Sequence, residues 1–199
     1  MPKEIEIEFK NILTIDEFAK LSSALNVKEA DFLLQTNHYF DTEDFKLKET
    51  RSALRIRSKS GHHTLTLKTP HGEDLLETNQ PLSEEEAASL LKNRKFPEGE
   101  VRDTILGLNI DPAALQHFGT LHTKRSEQHF KGGLLVLDQS EYLDKEDYEL
   151  EYEAAGRIEG EATFLELLET FQIPVRPTKN KVRRFYEELK KKQQEKSSQ

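Results

Sequence analysis

Period-two alternation of charge and hydrocarbon constrains this chain more than any other feature. Residues 4 to 10 read EIEIEFK, so Glu4, Glu6 and Glu8 alternate with Ile5, Ile7 and Phe9, and Lys10 ends the series. Successive side chains of a strand point to opposite faces, so this segment is a strand with one apolar and one acidic face. The pattern returns along the chain. Arg55, Arg57 and Lys59 oppose Leu54 and Ile56; Thr64, Thr66 and Lys68 oppose Leu65 and Leu67; Glu149, Glu151 and Glu153 oppose Tyr148, Leu150 and Tyr152. Lys124 and Arg125 fall on a sixth strand and Asp138 on a seventh.

Between these strands lie helix signals. Thr14 with Glu17 three residues on has capping-box spacing and opens a helix over 14–25, whose apolar positions Ile15, Phe18, Leu21 and Leu25 share one face. Residues 30–42 read as extended, followed by a loop or short turn. Strands over 53–59 and 63–69 flank Ser60-Gly61, a hairpin signal, and a turn at 70–72 leads to a strand over 73–80. Ser83 caps a helix over 82–94 with acidic residues in its first turn, where the helix dipole favours them. Residues 96–117 form a helical excursion broken by Pro97 and Pro112. Strands over 120–130 and 134–140 flank Lys131-Gly132-Gly133, and a last strand spans 147–154. An amphipathic helix over 160–172 and a charged helix over 178–196 complete the chain. The count is an α+β chain of about eight hairpin-linked antiparallel strands, a number natural for closure. No Pro/Gly/Ser-rich linker divides the 199 residues, so one domain is expected over 1–189, with a charged, frayed tail at 190–199.

Two arrangements accommodate the charged faces. Hydrophobic residues are 35% of the chain and charged residues 33%, and on such a composition a charged strand face meeting water is the commoner outcome. In the second arrangement the sheet closes with its charged faces inward and amphipathic helices cover the apolar outside. The helices before, between and after the strands suit closure, and so does the sorting of sign. Acidic residues collect on the first and last strands, basic ones on the third, fourth and sixth. Closure requires Arg57 and Glu151 on the inner side.

An interior of that kind is costly unless its charges are matched: facing carboxylates call for a divalent cation, clustered Arg and Lys for a polyanion. Carboxylate oxygens without thiolates suit a hard ion such as Mg²⁺ or Mn²⁺, and the chain has no cysteine. Arg forks and Lys ammoniums suit phosphate oxygens. The combination specifies a metal–polyphosphate complex. His117, His122 and His129 lack metal-ligand spacing, His62-His63 follows a turn, and Gly132-Gly133 is not followed by a P-loop. The net charge of −8 disfavours a general nucleic-acid coat protein. With no signal peptide and no membrane-length apolar run, the expectation is a cytoplasmic chain, monomer or homodimer, without nucleic-acid or membrane partners.

The ordered landmarks resemble the CYTH, or triphosphate tunnel metalloenzyme, superfamily, most of all its small bacterial single-domain branch. Glu6-Ile7-Glu8-Phe9-Lys10 matches the ExExK signature. Tyr39-Phe40-Asp41-Thr42, Leu54-Arg55-Ile56-Arg57, Leu65-Thr66-Leu67-Lys68, Glu77, Arg125, Leu137-Asp138, Glu149-Leu150-Glu151 and Pro177-Thr178-Lys179 follow in family order. The resemblance implies an eight-stranded antiparallel closed β-barrel, a tunnel with a charged interior covered outside by helices, that binds a triphosphate with divalent metal, Mg²⁺ or Mn²⁺. It implies Glu6, Glu8, Asp138, Glu149 and Glu151 as metal ligands. The last pair is open to a slip by two, to Glu151 and Glu153. It implies Lys10, Arg55, Arg57, Lys68, Arg125 and Lys179 on phosphate oxygens, with Lys181 as an addition, and Glu77 orienting the basic residues. Glu6, Glu8, Lys10 and Glu151 are the expected catalytic set. Tyr39 and Asp41 match the motif, with a structural role as open as a functional one. The expected activity is metal-dependent triphosphate hydrolysis on tripolyphosphate, thiamine triphosphate or a nucleotide. The rivals are a class IV-type adenylyl cyclase and a non-catalytic polyphosphate or nucleotide binder.

Overall fold

The computed structural model describes residues 3–92 and 95–197. The ends of the expected helix at 82–94, of the tail at 190–199 and of the domain at residue 1 lie outside the described residues. The strands are β1 (Lys3–Leu13), β2 (Leu33–Asp41), β3 (Ala53–Lys59), β4 (His62–His71), β5 (Asp74–Leu82), β6 (Gln116–Phe130), β7 (Gly133–Tyr142) and β8 (Lys145–Ala154). The helices are α1 (Ile15–Ala24), α2 (Lys46–Glu49), α3 (Glu84–Leu91), α4 (Glu100–Gly107), α5 (Arg157–Thr170) and α6 (Lys181–Ser197). The strands hydrogen-bond in the order β1-β5-β4-β3-β2-β6-β7-β8, which closes on itself as a barrel, and the fold is α+β.

Local chemistry accounts for many element boundaries. Ser60 and Gly61 both have positive φ, +51° and +77°, as the tight turn between β3 and β4 demands. Thr14 accepts a hydrogen bond from the Glu17 amide at 3.2 Å while the Glu17 carboxylate accepts from the Thr14 amide at 2.8 Å. Ser83 and Glu86 repeat the capping box at α3. The expected loop after residue 41 contains the single turn α2. Its amides are gathered by Asp41, whose carboxylate accepts from Thr42, Leu47 and Lys48. Asp41 therefore has a structural task. The excursion over 96–117 resolves into α4 and a 3₁₀ turn at Pro112–Ala114, and β6 begins earlier than expected, at Gln116. α6 continues to Ser197 and so includes most of the tail expected to fray.

The chain forms two compact units, Met1–Glu8 with Leu33–Thr123, and Phe9–Phe32 with Lys124–Gln199. In the first, Phe40, Leu54, Ile56, Leu65 and Leu67 pack with Ala87 and Leu90 of α3 and with Val101 and Ile105 of α4. In the second, Leu135, Leu137, Leu150 and Tyr152 pack with Leu21 of α1 and with Phe164, Leu167 and Leu168 of α5. Each fully buried leucine of these layers contributes roughly 1.5–3 kcal/mol.

The apolar strand faces are thus the ones the helices cover, and the charged faces lie on the other side. Water does not claim that side. Asp138 is 0% exposed, Glu149 1% and Glu151 3%, and Arg57 is half-buried. The barrel has a charged interior, and the solvated-sheet arrangement is excluded.

Candidate active site

The first unit carries a mixed-charge cluster on the inner face of β1 and β3–β5. Strand register sets Lys68 of β4 beside Glu77 of β5, and Arg55 of β3 beside Thr66 of β4. The Lys68 ammonium donates to Glu6 at 2.5 Å and lies 2.7 Å from Glu77. Glu77 is oriented by a relay, in which Thr66 donates to the Asn79 carbonyl at 2.7 Å and the Asn79 amide donates to Glu77 at 3.2 Å. Arg55 approaches Glu77 at 3.9 Å, and its Nε is buried with no hydrogen-bond partner among the described residues. Arg57 donates through Nε to Asn37 at 3.0 Å. Glu8 is half-buried on the same face of β1 as Glu6.

Charge balance within this cluster is uneven. Burial alone would raise the Glu77 carboxyl, but Lys68 and Arg55 override it and hold Glu77 down at about 2. At Glu6 burial prevails, with the charges of Glu8 and Glu77 adding to it, and the carboxyl is raised against the pull of Lys68.

The second unit carries a sealed network. Asp138 of β7 and Glu149 of β8 are direct cross-strand neighbours, with Glu151 two residues on. Arg125 spans Asp138 with two bonds of 2.8 and 2.6 Å and reaches Glu151 at 2.7 Å. From the first turn of α6, the Lys181 ammonium meets Asp138 at 2.8 Å, Glu149 at 3.2 Å and Glu151. Arg184, one turn on, pairs with Glu149 and with Asp147 at 2.9 Å, and Asp147 also accepts from the Tyr142 hydroxyl at 2.6 Å. Burial opposes every charge here. The three carboxylates override it at Lys181 and raise its ammonium, while Lys181, Arg125 and Lys10 hold Glu151 well below the usual carboxylate range. Glu149 goes the other way: burial, joined by the Glu151 charge, pushes it up to about 7 against Lys181 and Arg184.

The structure also places residues where the sequence did not. Lys179, expected on phosphate, lies half-exposed and pairs with Glu187 on the same surface at 2.8 Å. Arg125 and Lys181, also expected on phosphate, meet carboxylates, because the nearest anions to their buried charges are Asp138, Glu149 and Glu151. On β8, Glu149 and Glu151 are the buried carboxylates. Glu153 reaches Arg125 only at 4.0 Å and is the more exposed. Arg184, Asp147, Tyr142, Asn79 and Asn37 were missed. For Arg184 a signal existed, since it sits three residues after Lys181 and so on the same helical face.

Whether these residues suit a divalent ion can be judged from their donors. Among the described residues no three His, Asp or Glu gather as a ready metal cage. Asp138, Glu149 and Glu151 do gather around one point of positive charge, the Lys181 ammonium. An all-carboxylate set around a cation-favouring point fits a hard ion in its chemistry.

Known proteins resemble this chain over nearly all of its length. The family model described as the CYTH domain matches residues 4–186. A Bacillus subtilis protein named "Putative triphosphatase YjbK" is 54% identical over 191 residues, which cover 96% of this chain and 99% of that protein. The crystal structure of "a putative adenylate cyclase" from Bacillus halodurans is 49% identical with a TM-score of 0.91, covering 94% of this chain and 100% of that one. "Putative adenylyl cyclase HpAC1" from Hippeastrum, described as having a dominant triphosphatase activity, shares the fold at 22% identity and a TM-score of 0.77, over 94% of this chain and 96% of its own. Among the described residues no helix is long and apolar enough to cross a membrane.

Proposed function

The chain belongs to the CYTH domain family, and from that footing we propose that it is a metal-dependent triphosphatase, hydrolysing a phosphoanhydride bond of a triphosphate. The observation that carries this reading is the inner face of the first unit. There Lys68, Arg55 and Arg57 share one face, and Arg55 keeps a buried Nε–H without a partner among the described residues. Buried donors of this kind are costly until an acceptor arrives, and phosphate oxygens match guanidinium forks. The relative named "Putative triphosphatase YjbK", at 54% identity, supports the same assignment.

In this reading Lys10, Arg55, Arg57 and Lys68 take phosphate oxygens. Glu77, kept ionised by its two cations and aligned by Asn79, fixes where Lys68 and Arg55 point. Glu6 and Glu8 of the first cluster and Asp138, Glu149 and Glu151 of the second are the groups we assign to metal. Arg125 and Lys181 hold the second set of carboxylates in place, and Lys179 takes no part. A bound Mg²⁺ or Mn²⁺ would offset the charge that develops on the phosphate oxygens. Water attacks the terminal phosphorus, the bond to the bridging oxygen breaks, and a carboxylate of the set accepts the water's proton. The Arg and Lys side chains stabilise the transferring group electrostatically, and no nucleophilic side chain is required. We assign one domain to residues 1–189.

The Bacillus halodurans relative, described as "a putative adenylate cyclase", supports a second reading, in which a ribose hydroxyl attacks the α-phosphorus. One panel separates the two. Tripolyphosphate, thiamine triphosphate and ATP are offered with Mg²⁺ or Mn²⁺, and both phosphate and cyclic AMP are measured. The proposal expects phosphate release that Glu6→Ala abolishes. Cyclic AMP as the main product would make the protein a cyclase. Tight binding with no product would make it a binder.

A further inference from the structure

Gln35 of β2 is 1% exposed, and both its amide nitrogen and its amide oxygen are buried with no hydrogen-bond partner among the described residues. It shares the inner face of β2 with Asn37 and Tyr39, opposite Phe40, which packs in the outer core. Register places Gln35 across from Lys59, Asn37 across from Arg57 and Tyr39 across from Arg55. The inner face therefore continues past the phosphate-binding cations of the first unit in steps of two residues. Gln35 lies roughly 7 Å along the strand from Asn37 and roughly 13 Å from Tyr39. Arg57 and Asn37 are bound to each other, which leaves Gln35 as the next polar group in the row.

A primary amide carries two donors and an acceptor. Ionised phosphate offers acceptors only, so it could satisfy the Gln35 nitrogen and never its carbonyl oxygen. Both ends are satisfied together by a group that presents an N–H next to an acceptor, as the edge of a nucleobase or an aminopyrimidine does. We infer that Gln35 is a specificity-determining residue, binding the uncharged part of an organic triphosphate through a paired donor and acceptor beyond the Arg57–Asn37 row. This rests on the triphosphatase reading and adds to it a substrate class. Inorganic tripolyphosphate held at Arg55 and Lys68 would not extend to Gln35.

The test compares wild type with Gln35→Leu and Gln35→Met. Phosphate release is followed on ATP, GTP and inorganic tripolyphosphate, and calorimetric binding of a non-hydrolysable nucleoside triphosphate is measured in parallel. Thermal unfolding reports folding, and neither variant should lower Tm, since each removes an unsatisfied buried amide. The expected result is a rise of about tenfold or more in KM and Kd for the nucleotides, with tripolyphosphate within about twofold of wild type. Equal shifts for both substrate classes, or no shift in either, overturn the inference. If wild type releases phosphate from nothing, the triphosphatase reading falls and calorimetry still decides on Gln35. If wild type hydrolyses tripolyphosphate but binds no organic triphosphate, the inference alone falls.

Discussion

The two units of this molecule treat the same ingredients, carboxylates and cations on inner strand faces, in opposite ways. In the second, Asp138, Glu149 and Glu151 are sealed from solvent and shared between Lys181, Arg125 and Arg184. In the first, the side chains of Lys68, Arg55, Glu6 and Glu77 keep 14–18% of their exposure, and Arg55 retains a donor that no described residue matches. One network is closed on itself, and the other is open to a further anion. The difference is one of matching: the second set of carboxylates already meets the chain's own cations, and the first cluster retains a donor that the proposed triphosphate would fill.

The largest expected effect lies in the sealed network. Lys181→Ala leaves three buried carboxylates without their common partner, which should destabilise the fold by about 3–5 kcal/mol in denaturant unfolding. A change below about 1 kcal/mol would mean that the cluster is wetter or looser than described.

The pH dependences contributed by Glu77 and Glu149, one from each cluster, should differ in sign. Glu77 has a folded pKa of about 2, below its ordinary 4.5. Its contribution is present above pH 4.5 and lost as pH falls toward 2, on the order of 3 kcal/mol. Glu149, raised to about 7, does the reverse. Between 4.5 and 7 the folded carboxyl keeps a proton that the unfolded chain gives up, so its contribution is lost as pH rises through 7. Unfolding free energies measured across pH should lose the acid limb in Glu77→Gln and the neutral-side decline in Glu149→Gln. Identical profiles for the two variants would erase the contrast.

A smaller effect on stability should come from Lys68→Ala, about 1–2 kcal/mol, because Arg55 still faces Glu77 and both partners keep some contact with solvent. A loss as large as that of Lys181→Ala would place both clusters in the same class.

Much of this was legible in residue order. Alternation predicted β3 and β4 to their ends or within a residue or two, because Leu54, Ile56, Leu65 and Leu67 had to share a covered face. Thr14 and Ser83 announced their capping boxes through the Glu three residues on. What escaped was set by tertiary partners. The β7–β8 turn uses Leu143 and Asp144 at positive φ, and neither residue of that pair carries the Gly or Asn signal of such turns. Lys181 and Arg184 lie in a charged terminal segment, in which the sequence marked Lys181 only as an addition on phosphate and passed over Arg184. The buried carboxylates of β7 and β8 draw them inside and leave Phe185 and Tyr186 buried beside them. Lys179 matched the motif by position, and the structure pairs it with Glu187 at the surface. Asn79 and Asn37 act through Glu77 and Arg57, so nothing in their own neighbourhood marks them.

Arg55 tests the account most directly, because it alone combines a cation on the open face with a buried donor that no described group satisfies. Phosphate release from tripolyphosphate with Mg²⁺ or Mn²⁺ should be followed for wild type and Arg55→Ala side by side. The account predicts a loss in kcat/KM on the order of 10²-fold with little change in Tm. Equal rates from the two proteins would contradict it.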